Sequence, residues 1–311
     1  MRTAAPIDSF RQETFMRFNP HETTGSRVRL RYRVHLHYEV SGLSEFLLNV
    51  HAAQTARQTV LEEAFEVLPH RPVKVEIDPG TGNRIASFNG DAPVVDVRYE
   101  AVVDIAHLIV DPSAIVAEAP SALPVSALRF LYASRYCQAD LVQQQAWDLF
   151  GQLPRGYAQV VAVRDWVRSN IEFRVGTSHC GTTAVETLRD RAGVCRDFAH
   201  TMISYCRALN YPARFVTGVD YGADPALGPP DFHAYVEVMV GGTWFVFDPT
   251  GISPVTGLIR IGTGRDAADV SFATIFGPVR TGMPTVSFEA VEDPVAGYVA
   301  PAHTELAVST A

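Results

Sequence analysis

Phe232-His-Ala-Tyr-Val-Glu-Val-Met-Val-Gly-Gly-Thr-Trp-Phe-Val-Phe-Asp248 reads as two strands joined at Gly241-Gly242. Glycine tolerates φ > 0 at both central positions of a two-residue hairpin loop, so the loop sets the pairing. Val240 then opposes Thr243, Val238 opposes Phe245, and Tyr235 opposes Asp248. Ala234, Val236, Val238, Val240, Phe245 and Phe247 share an apolar face, while His233, Tyr235, Glu237, Trp244, Val246 and Asp248 share the other. His233 and Asp248 become diagonal neighbours with Cα atoms roughly 7–8 Å apart, a gap that their side chains can close. A carboxylate so placed holds the imidazole's tautomer and stabilises its cation.

An apolar sheet face needs a partner, and Gly193-Val-Cys-Arg-Asp-Phe-Ala-His-Thr-Met-Ile-Ser-Tyr-Cys-Arg-Ala-Leu209 supplies one. Cys195, Phe198, Ala199, Met202, Ile203, Cys206 and Leu209 recur at helical spacing and make one core-facing stripe. Asn210 can close this helix, and Pro212 forbids its continuation. Cys206 lies deep in the stripe and reads as a small buried hydrophobe. Cys195 instead opens the helix, where unpaired backbone amides and the positive dipole end favour thiolate. The same amides can stabilise an oxyanion on a carbonyl attacked there. Each residue alone is ordinary. A helix-opening cysteine followed by a paired His and Asp gives every member a mechanical role in nucleophilic catalysis.

Neighbouring residues have plainer readings. His200 lies five positions after Cys195, about 140° around the helix, so it is expected to hydrogen-bond within its lobe rather than serve as the base. Asp197 favours the dipole and caps first-turn amides, although its charge opposes a thiolate. Arg265 and Asp266 are expected to form a structural pair. Cys180 follows His179 in a Gly/Ser/Thr-rich loop and is a candidate cleft residue. Cys180, Cys195 and Cys206 with His179 and His200 fit no closed zinc spacing, and there is no C-x-x-C pair. No metal, cofactor or disulfide framework is expected.

Outward from this centre the texture changes. Val28-Arg-Leu-Arg-Tyr-Arg-Val-His-Leu-His-Tyr38 alternates apolar and basic residues, the pattern of a half-buried strand whose charged face is either solvated or open to an acidic partner. Strand-like runs follow at Glu45–His51, Val73–Ile77, Arg84–Phe88 and Val94–Val103, with turn chemistry at Asp78-Pro-Gly80 and Thr81-Gly-Asn83. Helical patterns occupy Leu141–Phe150 and Ala158–Ile171, and Thr183-Ala-Val-Glu186 fits a capping box. Strands return after residue 212. The expected division is a lead-in over 1–26, a β-rich N-terminal domain over 27–118, a linker over 119–127, an α+β catalytic domain over 128–290 and a tail over 291–311.

Composition narrows the function. The formal charge of −8 disfavours non-specific attraction to nucleic acid or anionic lipid. No apolar stretch comes near the roughly 18 residues of a membrane-spanning helix. Met1–Glu13 has no apolar h-region of a secretory signal. A soluble, cytoplasmic protein is the expectation, with no nucleic-acid or membrane partner. Oligomeric state is not encoded in any feature found.

At these residues the sequence resembles the transglutaminase-like superfamily, in particular its bacterial branch described as cysteine proteases. Gly193-Val-Cys-Arg-Asp-Phe-Ala-His200, His233-Ala-Tyr-Val-Glu237 and Trp244-Phe-Val-Phe-Asp-Pro-Thr250 carry the likeness. Thr182-Thr-Ala-Val-Glu-Thr-Leu188, Gly264-Arg-Asp-Ala-Ala-Asp-Val270, Leu131-Tyr-Ala-Ser-Arg-Tyr-Cys137 and the β-rich N-terminal region extend it over about residues 28–280. The resemblance implies a papain-like α+β core with the cysteine helix packed on an antiparallel sheet. It also implies Cys195 as nucleophile, His233 as base and then acid, and Asp248 as orienting carboxylate. Trp166 and Tyr157 are upstream candidates for a second oxyanion donor. One departure is Gly251, where the family often has Asn after Asp-Pro-Thr; it puts the local loop shape in question.

Such a triad forms an acyl-thioester from a peptide or protein amide. Water as acceptor makes a cysteine peptidase or amidase, which is the preferred reading because water is the default acceptor at an accessible thioester. An amine acceptor makes a transglutaminase. A third reading is a non-catalytic binding or scaffold protein on the same core, since fold alone does not establish activity.

Overall fold

The computed structural model describes residues 23–223, 230–293 and 295–311. The expected lead-in therefore lies outside the described residues as far as residue 22. The alternating stretch forms β1 (Thr23–Val40), and its residues Val28, Leu30, Tyr32, Val34, Leu36 and Tyr38 are all buried, as parity requires. It is followed by β2 (Ser44–Leu48), β3 (Gln58–Leu68), β4 (Lys74–Ile77), β5 (Arg84–Gly90) and β6 (Val94–Val110). β6 pairs antiparallel along β1 and sets Asp104 opposite Arg29, Glu100 opposite Arg33 and Asp96 opposite His37. The basic face of β1 is thus answered within the sheet. Arg29 Nε donates to Asp104 at 2.5 Å, Arg33 stands 3.0 Å from Glu100, and Asp96 meets His35 and His37 at 2.9 Å each. β3 carries no clean alternation in sequence because its pairing with β6 shifts between Val60 and Glu62, leaving Leu61 exposed.

The segment expected as a linker carries a 3-10 turn at Pro120–Ala122 and opens α1 (Val125–Leu128). α2 (Gln143–Phe150) and α3 (Tyr157–Asn170) follow, then β7 (Glu172–Phe173), α4 (Ala184–Asp190), β8 (Ala192–Gly193) and α5 (Cys195–Ala208). The capping box forms as expected: Thr183 accepts from the Glu186 amide, and Glu186 accepts from the Thr183 amide at 2.9 Å. Asn210, at φ 64, ends α5 in the left-handed conformation, and the Tyr211 amide returns to Cys206 O at 2.9 Å.

The remaining strands are β9 (Ala213–Asp220), β10 (Phe232–Val240), β11 (Thr243–Phe247), β12 (Leu258–Gly264), β13 (Ala273–Phe276), β14 (Val279–Thr281), β15 (Thr285–Ala290) and β16 (Ala307–Ser309). β11-β10-β9-β12 form one antiparallel sheet. Its apolar face, with Ala234, Val236, Val238, Phe245 and Phe247, joins the buried stripe of α5 and residues of α2 and α3 in one core. A second core lies among β1, β2, β5 and β6, and Val219, Ile259 and Ile261 of the other sheet enter it. The architecture is mixed α+β, a helix-backed antiparallel sheet preceded by a β-rich region.

Strand pairing crosses the division expected from sequence. β13 pairs with β2, β14 and β15 with β1, and β16 with β6, so the chain after about residue 272 returns to the first sheets. The stretch over 291–311, expected as a tail, contains buried Ala307, Val308 and Ser309. Short strands added late to distant edges leave no local signal of their partner, which is why sequence placed them otherwise.

Candidate active site

Cys195 is half-buried and free at the first position of α5. Gly193 is needed just before it, since a Cβ there would lie 2.7 Å from that of Asp197. With that space open, the Asp197 carboxylate folds back and accepts from the Val194 amide at 2.9 Å, the half of a capping box that an N3 carboxylate provides. Asp197 is fully buried with Arg196 Nη2 at 3.2 Å, so a cation offsets the charge that would oppose a thiolate.

The hairpin takes the register set by Gly241 and Gly242, at φ 61 and 76. Val240 pairs Thr243, Val238 pairs Phe245 and Val236 pairs Phe247. His233 and Asp248, 3% and 2% exposed, share the face away from the α5 stripe, and His233 Nε2 stands 3.4 Å from Asp248 Oδ1. That contact is an ion pair rather than a closed hydrogen bond, because the geometry leaves Nε2 without an acceptor. Catalytic contacts in unliganded sites are often this long. The Cys195 thiol is close enough to the imidazole to act on it electrostatically.

The electrostatics follow from this packing. Burial by itself pushes the His233 imidazole down, but Asp248, the Cys195 contact and Asp220 together hold it well above its ordinary value. Burial likewise opposes the Asp248 carboxylate, and His233 with Thr250 outweighs it, leaving Asp248 below the usual carboxylate range. The arrangement favours the imidazolium that forms when His233 takes up a proton, paired with the Asp248 carboxylate.

Two supporting residues were not singled out from sequence. Thr250 donates to Asp248 Oδ1 from its amide at 2.9 Å and its hydroxyl at 2.7 Å, a turn that fixes the carboxylate. Arg168 Nη2 donates to the Asp248 carbonyl at 2.9 Å. The Gly251 departure has a local explanation: its φ is +68, and a Cβ there would collide with the Arg168 guanidinium. The Asp-Pro-Thr motif contained Thr250, whereas nothing in local pattern marks Arg168, which reaches the site only through the packing of α3.

The other expected residues separate. Tyr157 is a core residue, its ring 5.5 and 5.0 Å from those of Phe245 and Phe247 on the apolar face. Trp166 packs edge-on against Phe150 and Tyr205 and under Arg191. Cys180 is exposed, and its carbonyl accepts from Tyr136 Oη at 2.7 Å. His200 is buried, stacks on Tyr136 and accepts from the Ala267 amide through Nε2 at 3.2 Å, as expected of a residue bonded within its lobe. Arg265 pairs with Asp269 at 2.8 Å, while Asp266 accepts from the Tyr136 amide at 2.9 Å, so the expected Arg265–Asp266 pair is replaced by two separate contacts. Among the described residues no group of three or more His, Cys, Asp or Glu is arranged to hold a metal, and no helix is long and apolar enough to cross a membrane.

Comparison with known proteins places these features. The Transglutaminase-like superfamily model matches residues 144–249, and that of the bacterial transglutaminase N-terminal domain matches 28–124. A crystal structure described as "a Putative Cysteine Protease from Cytophaga hutchinsonii" is 33% identical with a TM-score of 0.84, covering 93% of this chain and 99% of that one. An uncharacterized protein of Mycobacterium leprae is 33% identical over 117 residues, 36% of this chain and 42% of the relative. One of Mycobacterium tuberculosis is 32% identical over 115 residues, 33% of this chain and 37% of the relative. The match thus spans about two fifths of the length of these curated relatives. With both models matched in order and the core superposed on a relative over nearly its whole length, the chain belongs to the transglutaminase-like superfamily.

Proposed function

We propose that this protein is a cysteine-dependent hydrolase of peptide or amide bonds, with Cys195, His233 and Asp248 as its catalytic residues. The observation that carries the reading is the buried His233–Asp248 pair at 3.4 Å, with the helix-opening Cys195 acting on the same imidazole. Cys195 Sγ attacks the amide carbonyl as its proton passes to His233, and the oxyanion faces the first-turn amides of α5. Collapse breaks the C–N bond, His233 protonates the leaving amine, and an acyl-thioester remains. His233 then takes a proton from water, whose oxygen attacks the thioester to release a carboxylic acid and the thiol. Asp248 holds the imidazole's orientation and stabilises its cation throughout. Water is the preferred acceptor, since Cys195 is half-buried rather than enclosed and water is the default at an accessible thioester.

Site-resolved iodoacetamide labelling tests this. Cys195 is expected to label roughly tenfold or more faster than Cys137, Cys180 and Cys206 near pH 6, because it alone opens a helix beside an imidazole. His233→Ala should abolish that advantage, and Cys195→Ala should abolish amide turnover while the fold persists. Equal labelling of Cys195 and exposed Cys180 in folded protein would reject the enzyme in favour of a scaffold. Release of amine together with acyl transfer to added lysine, but not to water, would instead reject hydrolysis.

A further inference from the structure

His233 lies on a central strand, and the strands on both its sides bring a carboxylate to its face. β11 leads into Asp248 on one side. On the other, β9 pairs Gly218 directly with His233, which makes Asp220 the diagonal neighbour on the same face, with Cα atoms roughly 7–8 Å away. Gly218 has no room for a side chain, since a Cβ there would meet the Ile259 carbonyl and the Tyr235 ring. Asp220 is 6% exposed, and its Oδ2 is buried with no hydrogen-bond partner among the described residues. The hydroxyl of Ser253, also buried, faces the carboxylate without closing an ordinary hydrogen bond. A buried carboxylate left this open is costly unless a cation answers it, and the His233 imidazole is the group acting on it that can become one.

We propose that Asp220 is a positioning residue that stabilises the imidazolium form of His233 from the side opposite Asp248. This rests on the triad reading and extends it from one carboxylate to two. Burial pushes the Asp220 carboxyl up and His233 pulls it back, so its ionisation follows the charge on the imidazole. The groups facing His233 are Asp248 after β11, the Cys195 thiol of α5, Asp220 of β9 and the stacked ring of Tyr235 on its own strand. Asp231, just before β10, faces Asp220 with the same sign of charge. Arg168 reaches only the Asp248 carbonyl.

The test is a ¹⁵N NMR titration of the His233 imidazole in the full chain, in wild type, Asp220→Asn, Ser253→Ala and Asp248→Asn. The expected result is a lower midpoint in Asp220→Asn, by less than in Asp248→Asn, and a smaller downward shift in Ser253→Ala. A purely structural role would lower the melting temperature and leave the midpoint in place. An unmoved midpoint in folded Asp220→Asn overturns the proposal, as does an Asp220 that stays protonated throughout. Should Asp220→Asn fail to fold, the milder Ser253→Ala decides by the same criterion. Iodoacetamide labelling of the wild type separates the two readings: a Cys195 with no advantage near pH 6 removes the triad, whereas a reactive Cys195 with an unmoved midpoint removes only the role of Asp220.

Discussion

At the scale of single residues, Asp248 is held by more contacts than it gives to His233. Its Oδ1 is shared between Thr250 and the imidazole, and its carbonyl is taken by Arg168. Asp248→Asn keeps this shape while removing the charge, so it tests electrostatics rather than packing. His233 should fall from its raised value, the neutral thiol–imidazole form should gain, and turnover should drop roughly 10²–10⁴-fold. Circular dichroism should stay unchanged while labelling of Cys195 near pH 6 falls; retained activity would mean that the carboxylate only shapes the loop. Of these residues, Cys195, His233 and Asp248 could be singled out from order and parity. Arg168 and Asp220 could not, because each reaches the site across an element pairing that no local pattern encodes.

At the scale of elements, the junction of β8 and α5 decides whether Cys195 sits where helix amides can act on it. Gly193 pairs with Phe173 in the short parallel ribbon of β7 and β8, and it also makes room for Asp197. Gly193→Ala should force the Asp197 side chain off the Val194 amide, at a cost of about 1–3 kcal/mol, the range for overpacking a buried site. Denaturant titration measures the loss, and Cys195 labelling should fall with it; an unchanged midpoint and rate would show that the junction tolerates a Cβ. The hairpin of β10 and β11 was legible down to its register because two glycines admit one tight turn. The neighbours of that hairpin were not legible, since β9 on one edge is fixed by sheet assembly rather than by a loop.

At the scale of the whole molecule, the sheet of β9 to β12 contributes to both cores, and His51 and His200 are buried histidines. His51, buried between the rings of Phe65 and Tyr99 at 4.8 Å each, is pushed down to about 4 by burial and by the nearby Arg84 cation, against the pull of Glu63. Its folded value lies below the unfolded one, so the unfolded chain binds a proton first as the solution is acidified. The stabilisation is therefore complete above pH 6.5 and is lost as pH falls towards 4, amounting to ~3 kcal/mol. His200, held neutral by burial, acts in the same direction. Urea unfolding at several pH values should show this slope, and His51→Phe should flatten it between pH 6.5 and 4; an identical slope in the variant would assign the acid sensitivity elsewhere. The amino-acid sequence by itself determined the α+β class, the hairpin register, the α5 stripe and the order of cysteine, histidine and aspartate, because these depend on periodicity and on turns of a few residues. Only the tertiary structure decided that β13 to β16 return to the N-terminal sheets, that Tyr157 belongs to the core, and that Arg168 and Asp220 stand beside the candidate triad. Those outcomes follow from contacts between segments far apart in the chain, where burial of a shared surface, not local propensity, selects the partner.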